Sequence, residues 1–403
     1  MRVQFTAVIV ILSVALSVTL SGQAAEIKKE EVEYQNEAFE SWWEVKLERK
    51  LSELPTEGKV PDYRIPYSGH DYPDRAGGVD ARQRGRLSPL GKYDMAYNKG
   101  RGLAVAFERR DVTTNNRGEG RGGGLFGGRS GRGDRLENLD RDVSFVDRFR
   151  ARRSVGWYGH CNGWTAAAIR HAEPQKTVVR NGVKFTPADI KGLLAELYMY
   201  SDTEFLGGVD AACNPATLHI TLANWLGRGD HPVGMDTAVG KVVINYPIYA
   251  YRATITKRSA NLHEVKMNVT YSVNTGIEQD VSPKLKKTMG FHYSLTLNDK
   301  GVITGGEYYG DSSRVDMLWT PLNPTQGGTK GNELGSPHLS AQEILAIYRD
   351  SVPKELHEKW MNIDPNDPEG EKKKAKEASD VKKPAAEKPA VEKTEKSVVK
   401  ENE

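Results

Sequence analysis

Apolar positions change their spacing along this chain, and the changes divide it into regions. Residues 5–20 are one nearly unbroken apolar run, with Arg2 before it and Ser21-Gly22-Gln23-Ala24-Ala25 after it. Between 37 and 54, Phe39, Trp42, Trp43, Val45, Leu47 and Leu51 recur at the spacing of an amphipathic helix, which Pro55 ends. A run rich in Pro, Gly and Tyr continues to Gly78 and reads as irregular. Helical texture returns at Thr165-Ala166-Ala167-Ala168-Ile169. Over 187–200, Ile190, Leu193, Leu194 and Leu197 line one face of a further helix.

Beyond Pro215 the texture shifts toward branched and aromatic residues, the composition of strands. The spacing predicts a strand over 218–226, a turn at Gly227-Arg228-Gly229-Asp230 and a returning strand over 232–236; a helix over 216–226 is the competing reading. Further strands are predicted over 241–256, 264–273 and 292–297, the last closed by Asn298-Asp299-Lys300-Gly301. Helices first and an antiparallel sheet second give an expected α+β class.

Three segments stand outside this pattern. The basic start, apolar run and small residues Gly22 and Ala24 make 1–25 a secretory signal peptide, with an uncleaved anchor as the alternative. Residues 115–150 read as a Gly/Arg-rich linker, and 363–403, built of Lys, Glu, Ala, Pro and Val, as a disordered tail. What remains is an amino-terminal helical and irregular segment, 26–114, packing on a catalytic core, 151–362. The mature protein is expected to be secreted, periplasmic or at the cell surface, with no stable membrane span after cleavage. Charge adds an exclusion: 57 Lys and Arg against 54 Asp and Glu argue against nucleic acid as the main partner.

Cysteine is the informative residue type, because the chain has only 2, Cys161 and Cys213. Export makes a disulfide the default, yet the surroundings of Cys161 favour reactivity. In Trp157-Tyr158-Gly159-His160-Cys161-Asn162-Gly163-Trp164 the thiol falls at or near a helix start, where peptide dipoles favour thiolate. Gly159 and Gly163 leave room for substrate, which Trp157 and Trp164 would wall. A base is expected from the sheet: His219, with Asp236 alongside to fix its tautomer, in the papain-like order of nucleophile, histidine and acid or amide. His219 as a core histidine, and Asp236 as a turn cap or a partner of Lys241, are the plainer readings. His231 in the turn is the rival base, Asn245 the alternative third group. His160 adjoins the nucleophile and should point away from it, and His292 has no evident partner. No His-Glu-x-x-His, paired Cys-x-x-Cys or EF-hand loop occurs, so no metal is expected.

Several of these pieces together resemble the transglutaminase elicitor family, which includes secreted transglutaminases of Phytophthora and bacterial relatives. The resemblance rests on Gly159-His160-Cys161-Asn162-Gly163-Trp164-Thr165-Ala166-Ala167 and Phe185-Thr186-Pro187-Ala188-Asp189-Ile190. It extends through Cys213-Asn214-Pro215, Asn224-Trp225-Leu226-Gly227, Asn245-Tyr246-Pro247 and Asp316-Met317-Leu318-Trp319-Thr320-Pro321, with Ser88-Pro89-Leu90-Gly91-Lys92-Tyr93-Asp94 upstream. It implies a protein-glutamine gamma-glutamyltransferase. Cys161 would form a thioester with a glutamine side chain and an amine would resolve it, with Trp157, Trp164 and Asn245 contacting substrate. The implied partners are a glutamine-bearing protein and an amine donor. The resemblance also puts Cys213 near the site, where a Cys161–Cys213 bond could mask the nucleophile. No cofactor is expected; calcium stays open without any motif to indicate it. A papain-like cysteine peptidase or amidase, or a non-catalytic envelope protein, are the alternatives.

Overall fold

The computed structural model describes residues 25–81, 86–114, 159–208, 212–239, 242–310 and 312–360. The expected signal peptide up to residue 24, the Gly/Arg-rich segment, Trp157 and the expected tail lie outside the described residues.

A nine-stranded antiparallel sheet organises the chain. Its order is β1 (Ala25–Glu26), β10 (Ile303–Tyr308), β9 (Lys286–Leu297), β8 (Leu262–Ser272), β7 (Asn245–Lys257), β6 (Val233–Asp236), β11 (Met317–Pro321) and β5 (Thr203–Gly207), with β2 (Glu57–Lys59) also on β7. The meander β7–β8–β9 follows directly from alternation. In β8, Val265, Met267, Val269 and Tyr271 are buried, while Lys266 and Asn268 between them are exposed. The Asn298 side chain closes the β9–β10 turn by accepting from the amides of Lys300 and Val302, both at 3.0 Å. The helices are α1 (Lys29–Trp43), α2 (Pro89–Tyr97), α3 (Leu103–Thr114), α4 (Cys161–Arg170), α5 (Pro187–Tyr198), α6 (Pro215–Leu222), α7 (Ala341–Ser351) and α8 (Lys354–Trp360). A small hairpin, β3 (Val178–Arg180) with β4 (Val183–Phe185), stands apart from the main sheet. The α+β reading therefore holds as a mixture of helices with an antiparallel sheet.

Two elements differ from the sequence expectation. Residues 218–226 are not a strand: α6 starts on the Asn214 cap, whose side chain accepts from Ala216 N at 2.9 Å, and Pro215 occupies the first turn. It runs on as a π-helical turn, Ala223–Arg228. Every residue from 215 to 226 is buried, and a helix buried all round shows the same unbroken apolar run as a central strand. The first helix also sits earlier than 37–54. Glu44 adopts a left-handed conformation at φ 56° and ends α1. Past it, the Asn224 side chain takes both backbone groups of Glu48, at 3.0 and 2.8 Å, which holds this stretch out of the helix.

Two apolar clusters result. One packs α1 and α6 against the strands and contains Cys213; the other joins α4, α5 and α7, with Cys161 at its edge. The helix pair α4–α5 depends on a close approach at Gly163, where an added Cβ would lie 2.2 Å from the Ala195 carbonyl oxygen. Backbone cannot swing aside as a side chain can. Gly163→Ala is therefore expected to cost at least about 2 kcal/mol, read as a lower urea midpoint at unchanged slope.

Candidate active site

Helix α4 starts at Cys161, and its first turn is held from three sides. Thr165 Oγ1 donates to the Asn245 carbonyl at 3.2 Å, which ties the helix to the start of β7. The His160 amide donates to the Asp71 carbonyl at 2.6 Å, and Gly159 lies so close to Asp71 and Pro73 that a Cβ would meet the Asp71 oxygen at 2.6 Å. Gly69 packs on the Trp164 ring, where an added Cβ would be 3.0 Å away. Residues 69–73 thus run along the start of α4.

Asn245 reaches the sulfur. Its Nδ2 donates to Cys161 Sγ at 3.7 Å, and its Oδ1 accepts from Trp319 Nε1 at 2.8 Å, which fixes the amide's orientation. Both Asn245 and the Trp319 ring are fully buried. On its other side the thiol donates to the Val243 carbonyl at 3.6 Å. The residue is partly exposed. Burial of the sulfur pushes its pKa up to about 11; the Asn245 hydrogen bonds work against this, and the charges of Asp236 and Asp71 add to it. Burial of the sulfur thus opposes the acidification expected from the helix start.

The other expected residues fall as follows. The side-by-side placement of His219 and Asp236 is not realised. His219 is fully buried in α6, Nδ1 shares a 2.8 Å hydrogen bond with the Tyr293 hydroxyl, and Nε2 has no hydrogen bond. Burial lowers its pKa to about 4. Asp236 instead closes the β6–β7 turn: Oδ1 accepts from Ala238 N and Ile244 N, each at 3.0 Å. Burial raises its carboxyl to about 6. His231 is not exposed but buried among Trp42, Trp43 and Trp225, with Nδ1 2.7 Å from the Pro232 oxygen. His292 has a partner after all, Glu264 on the neighbouring strand at 2.7 Å. Trp164 lies beneath Gly69 and edge-on to Tyr246, a floor to the site and not a wall. Both cysteines are free, and Cys213 belongs to the other apolar cluster, so the masking disulfide is absent.

Sequence reasoning passed over His70 and Asp71. The ring of His70 is partly exposed, and its Nδ1 sits 2.9 Å from the Thr275 carbonyl and 3.3 Å from Asp71 Oδ1. A carbonyl can only accept, so Nδ1 carries the proton and Nε2 is the basic nitrogen. Burial opposes the charged ring, but Asp71 and Thr275 outweigh it and its pKa rises. Being flanked by an acid and set between Gly69 and Asp71, both against the first turn of α4, is the signal that distinguishes it. Only its place before the nucleophile in the chain hid it.

The sequence model of the transglutaminase elicitor family matches residues 153–209. That span holds Cys161 and the α4–α5 pair. These residues and the fold support one family. The matched segment and the fold are similar to those of the transglutaminase elicitors. Among solved structures, the crystal structure of the GP42 transglutaminase from Phytophthora sojae is similar at a TM-score of 0.60 and 22% identity, over 81% of this chain and 99% of that one. At that identity the likeness concerns the fold. No curated protein sequence matches. Among the described residues, no helix is long and apolar enough to cross a membrane.

Proposed function

We propose that the protein is an exported acyltransferase of transglutaminase type, with Cys161 as nucleophile. The observation that carries this is the Asn245 amide on the Cys161 sulfur, locked by Trp319 at the start of a helix in the family-matched segment. The thiol proton passes to His70 Nε2 and the sulfur attacks the carbon of a glutamine side-chain amide. The oxyanion forms beside the Asn245 amide and the first-turn N–H groups of α4. His70 returns the proton to the departing nitrogen, ammonia leaves, and a thioester remains. A lysine amine then attacks the thioester, its proton passes through His70 to the departing sulfur, and one isopeptide bond has replaced one amide. Asp71 orients the His70 ring, the part given to the third member of such sites. The apolar run of 5–20 supports export.

A second reading has its own support. The thiol held at about 11, with no imidazole hydrogen-bonded to it, suits a non-catalytic protein of the same fold. Labelled-amine incorporation into a glutamine-rich acceptor separates the two. Product that depends on Cys161 supports the transferase; release of free acid without incorporation points to an amidase; neither product sinks the enzyme.

The Trp319→Phe variant tests the amide lock. Its smaller ring fills only part of the space and lacks the Nε1 donor, so Asn245 can turn away. Amine incorporation per folded molecule is expected to fall between about 10- and 100-fold, measured by kcat/KM, and a thermal melt should show a lower midpoint from the cavity left at this fully buried site. An unchanged kcat/KM would remove Asn245 from the proposed machinery.

A further inference from the structure

Next to the candidate nucleophile, on the other side of the α4 start, lies a cluster that the proposed reaction does not use. Glu108 from α3, His160 capping α4 and Glu196 from α5 converge there. His160 Nε2 is 2.9 Å from Glu196 Oε2 and 3.6 Å from Glu108 Oε1, and the three atoms lie within 4.8 Å of one another. All three side chains are buried, at 0, 1 and 5% exposure for Glu108, His160 and Glu196. Glu108 Oε1 also accepts from Val79 N at 2.8 Å, whereas its Oε2 is buried with no hydrogen bond. Room for that carboxylate is made by Gly78, where a Cβ would sit 1.8 Å from Oε1. Asp74 and Asp111 add further negative field at Glu108.

Two carboxylates around one imidazole carry more acid than base into a buried cluster, where the excess charge calls for a counter-charge, either a bound proton or a cation. The distances come close to those around a cation, with His160–Glu108 at 3.6 Å already at ligand spacing and His160–Glu196 at 2.9 Å having to open slightly. Bonds of about 2.0–2.2 Å to imidazole nitrogen and carboxylate oxygen, at tetrahedral angles, leave ligand atoms roughly 3.3–3.6 Å apart. One imidazole with two carboxylates suits a borderline cation better than a hard one, which prefers an all-oxygen set. We propose that Glu108, His160 and Glu196 form a buried site for a divalent cation of the zinc class. Three protein ligands leave a fourth position open, and the cation would clamp α3, α4 and α5 together at the residue before Cys161. No spacing rule could have announced it, since the ligands come from three separate elements.

The proposal stands apart from the transferase reading and is tested without activity. The full chain is stripped with chelator, titrated with zinc sulfate, and assayed for bound zinc and melting temperature. One equivalent of zinc and a rise of several degrees are expected. Glu108→Gln and Glu196→Gln should each weaken zinc at least tenfold. Should either variant fail to fold, X-ray absorption on the zinc-loaded wild type decides: nitrogen and oxygen neighbours near 2.0–2.1 Å support the site. A sulfur neighbour near 2.3 Å would place the cation on a cysteine and overturn it. So would an unmoved melting temperature with no stoichiometric zinc, the result for a purely ionic Glu–His–Glu network.

Discussion

Cys161→Ala is expected to lower labelled-amine incorporation by at least about 1,000-fold while leaving the melting temperature within a few degrees of wild type. Truncating the CH2–SH side chain to CH3 removes the atom that carries the acyl group, and nothing else in the proposed route replaces it. The thiol's environment adds a sharper expectation. With its pKa pushed up to about 11, about one molecule in ten thousand carries thiolate at pH 7. Alkylation of Cys161 in chelator-treated protein should therefore climb roughly tenfold per pH unit from 7 towards 11, and Cys161→Ala should remove that phase. The sign follows from the burial: a folded value above the ordinary 9.0 keeps the proton on sulfur across the window between them. A plateau near pH 7 would mean that the thiolate is already formed, and the resting arrangement described above would be wrong. If alkylation behaves as expected and incorporation is still rapid, substrate must expel water and bring His70 against the sulfur before attack.

How much of this could be read from the chain depends on whether the signal is local. The start of α4 at Cys161, the helix α5 and the strands β7, β8 and β9 are written in consecutive residues, and the sequence reading placed all of them; the capping box of Thr186 with Asp189 is equally local but was not named. The stretch 215–226 is also local, but its information lies in the Asn214 cap and Pro215, not in periodicity, because full burial erases the difference between a period of 2 and one of 3.6. The site is different again. Asn245 was named as the alternative third group and within the family-like Asn245-Tyr246-Pro247, whereas its lock, Trp319, is 74 residues away and meets it only because β11 and β7 both flank β6. Likewise Glu108, His160 and Glu196 share no motif and are joined by the packing of three helices. Residue types near the nucleophile were legible; the partners supplied by tertiary packing were not.

The histidine assignments yield the second large effect, and they separate cleanly. His70→Ala should lower amine incorporation by about 10²–10⁴-fold, the range for loss of a general acid–base group, at a cost of only about 1 kcal/mol in stability for the lost hydrogen bond to Thr275. His219→Ala should do the reverse. It removes a fully buried ring from α6 and strands the Tyr293 hydroxyl, at a cost of about 2–3 kcal/mol, with kcat per folded molecule kept. pH gives an independent reading of the same residue. The folded value of about 4 lies below the ordinary 6.5, so the native state binds fewer protons than the unfolded chain between these limits. The stabilisation is complete above pH 6.5 and is lost as pH falls towards 4. His219→Phe, which cannot titrate, should therefore show a shallower decline in urea midpoint from pH 6.5 to 4 than wild type. If instead His219→Ala silences incorporation at full stability and His70→Ala does not, the base comes from α6, and the buried pairing of His219 with Tyr293 must open during the reaction.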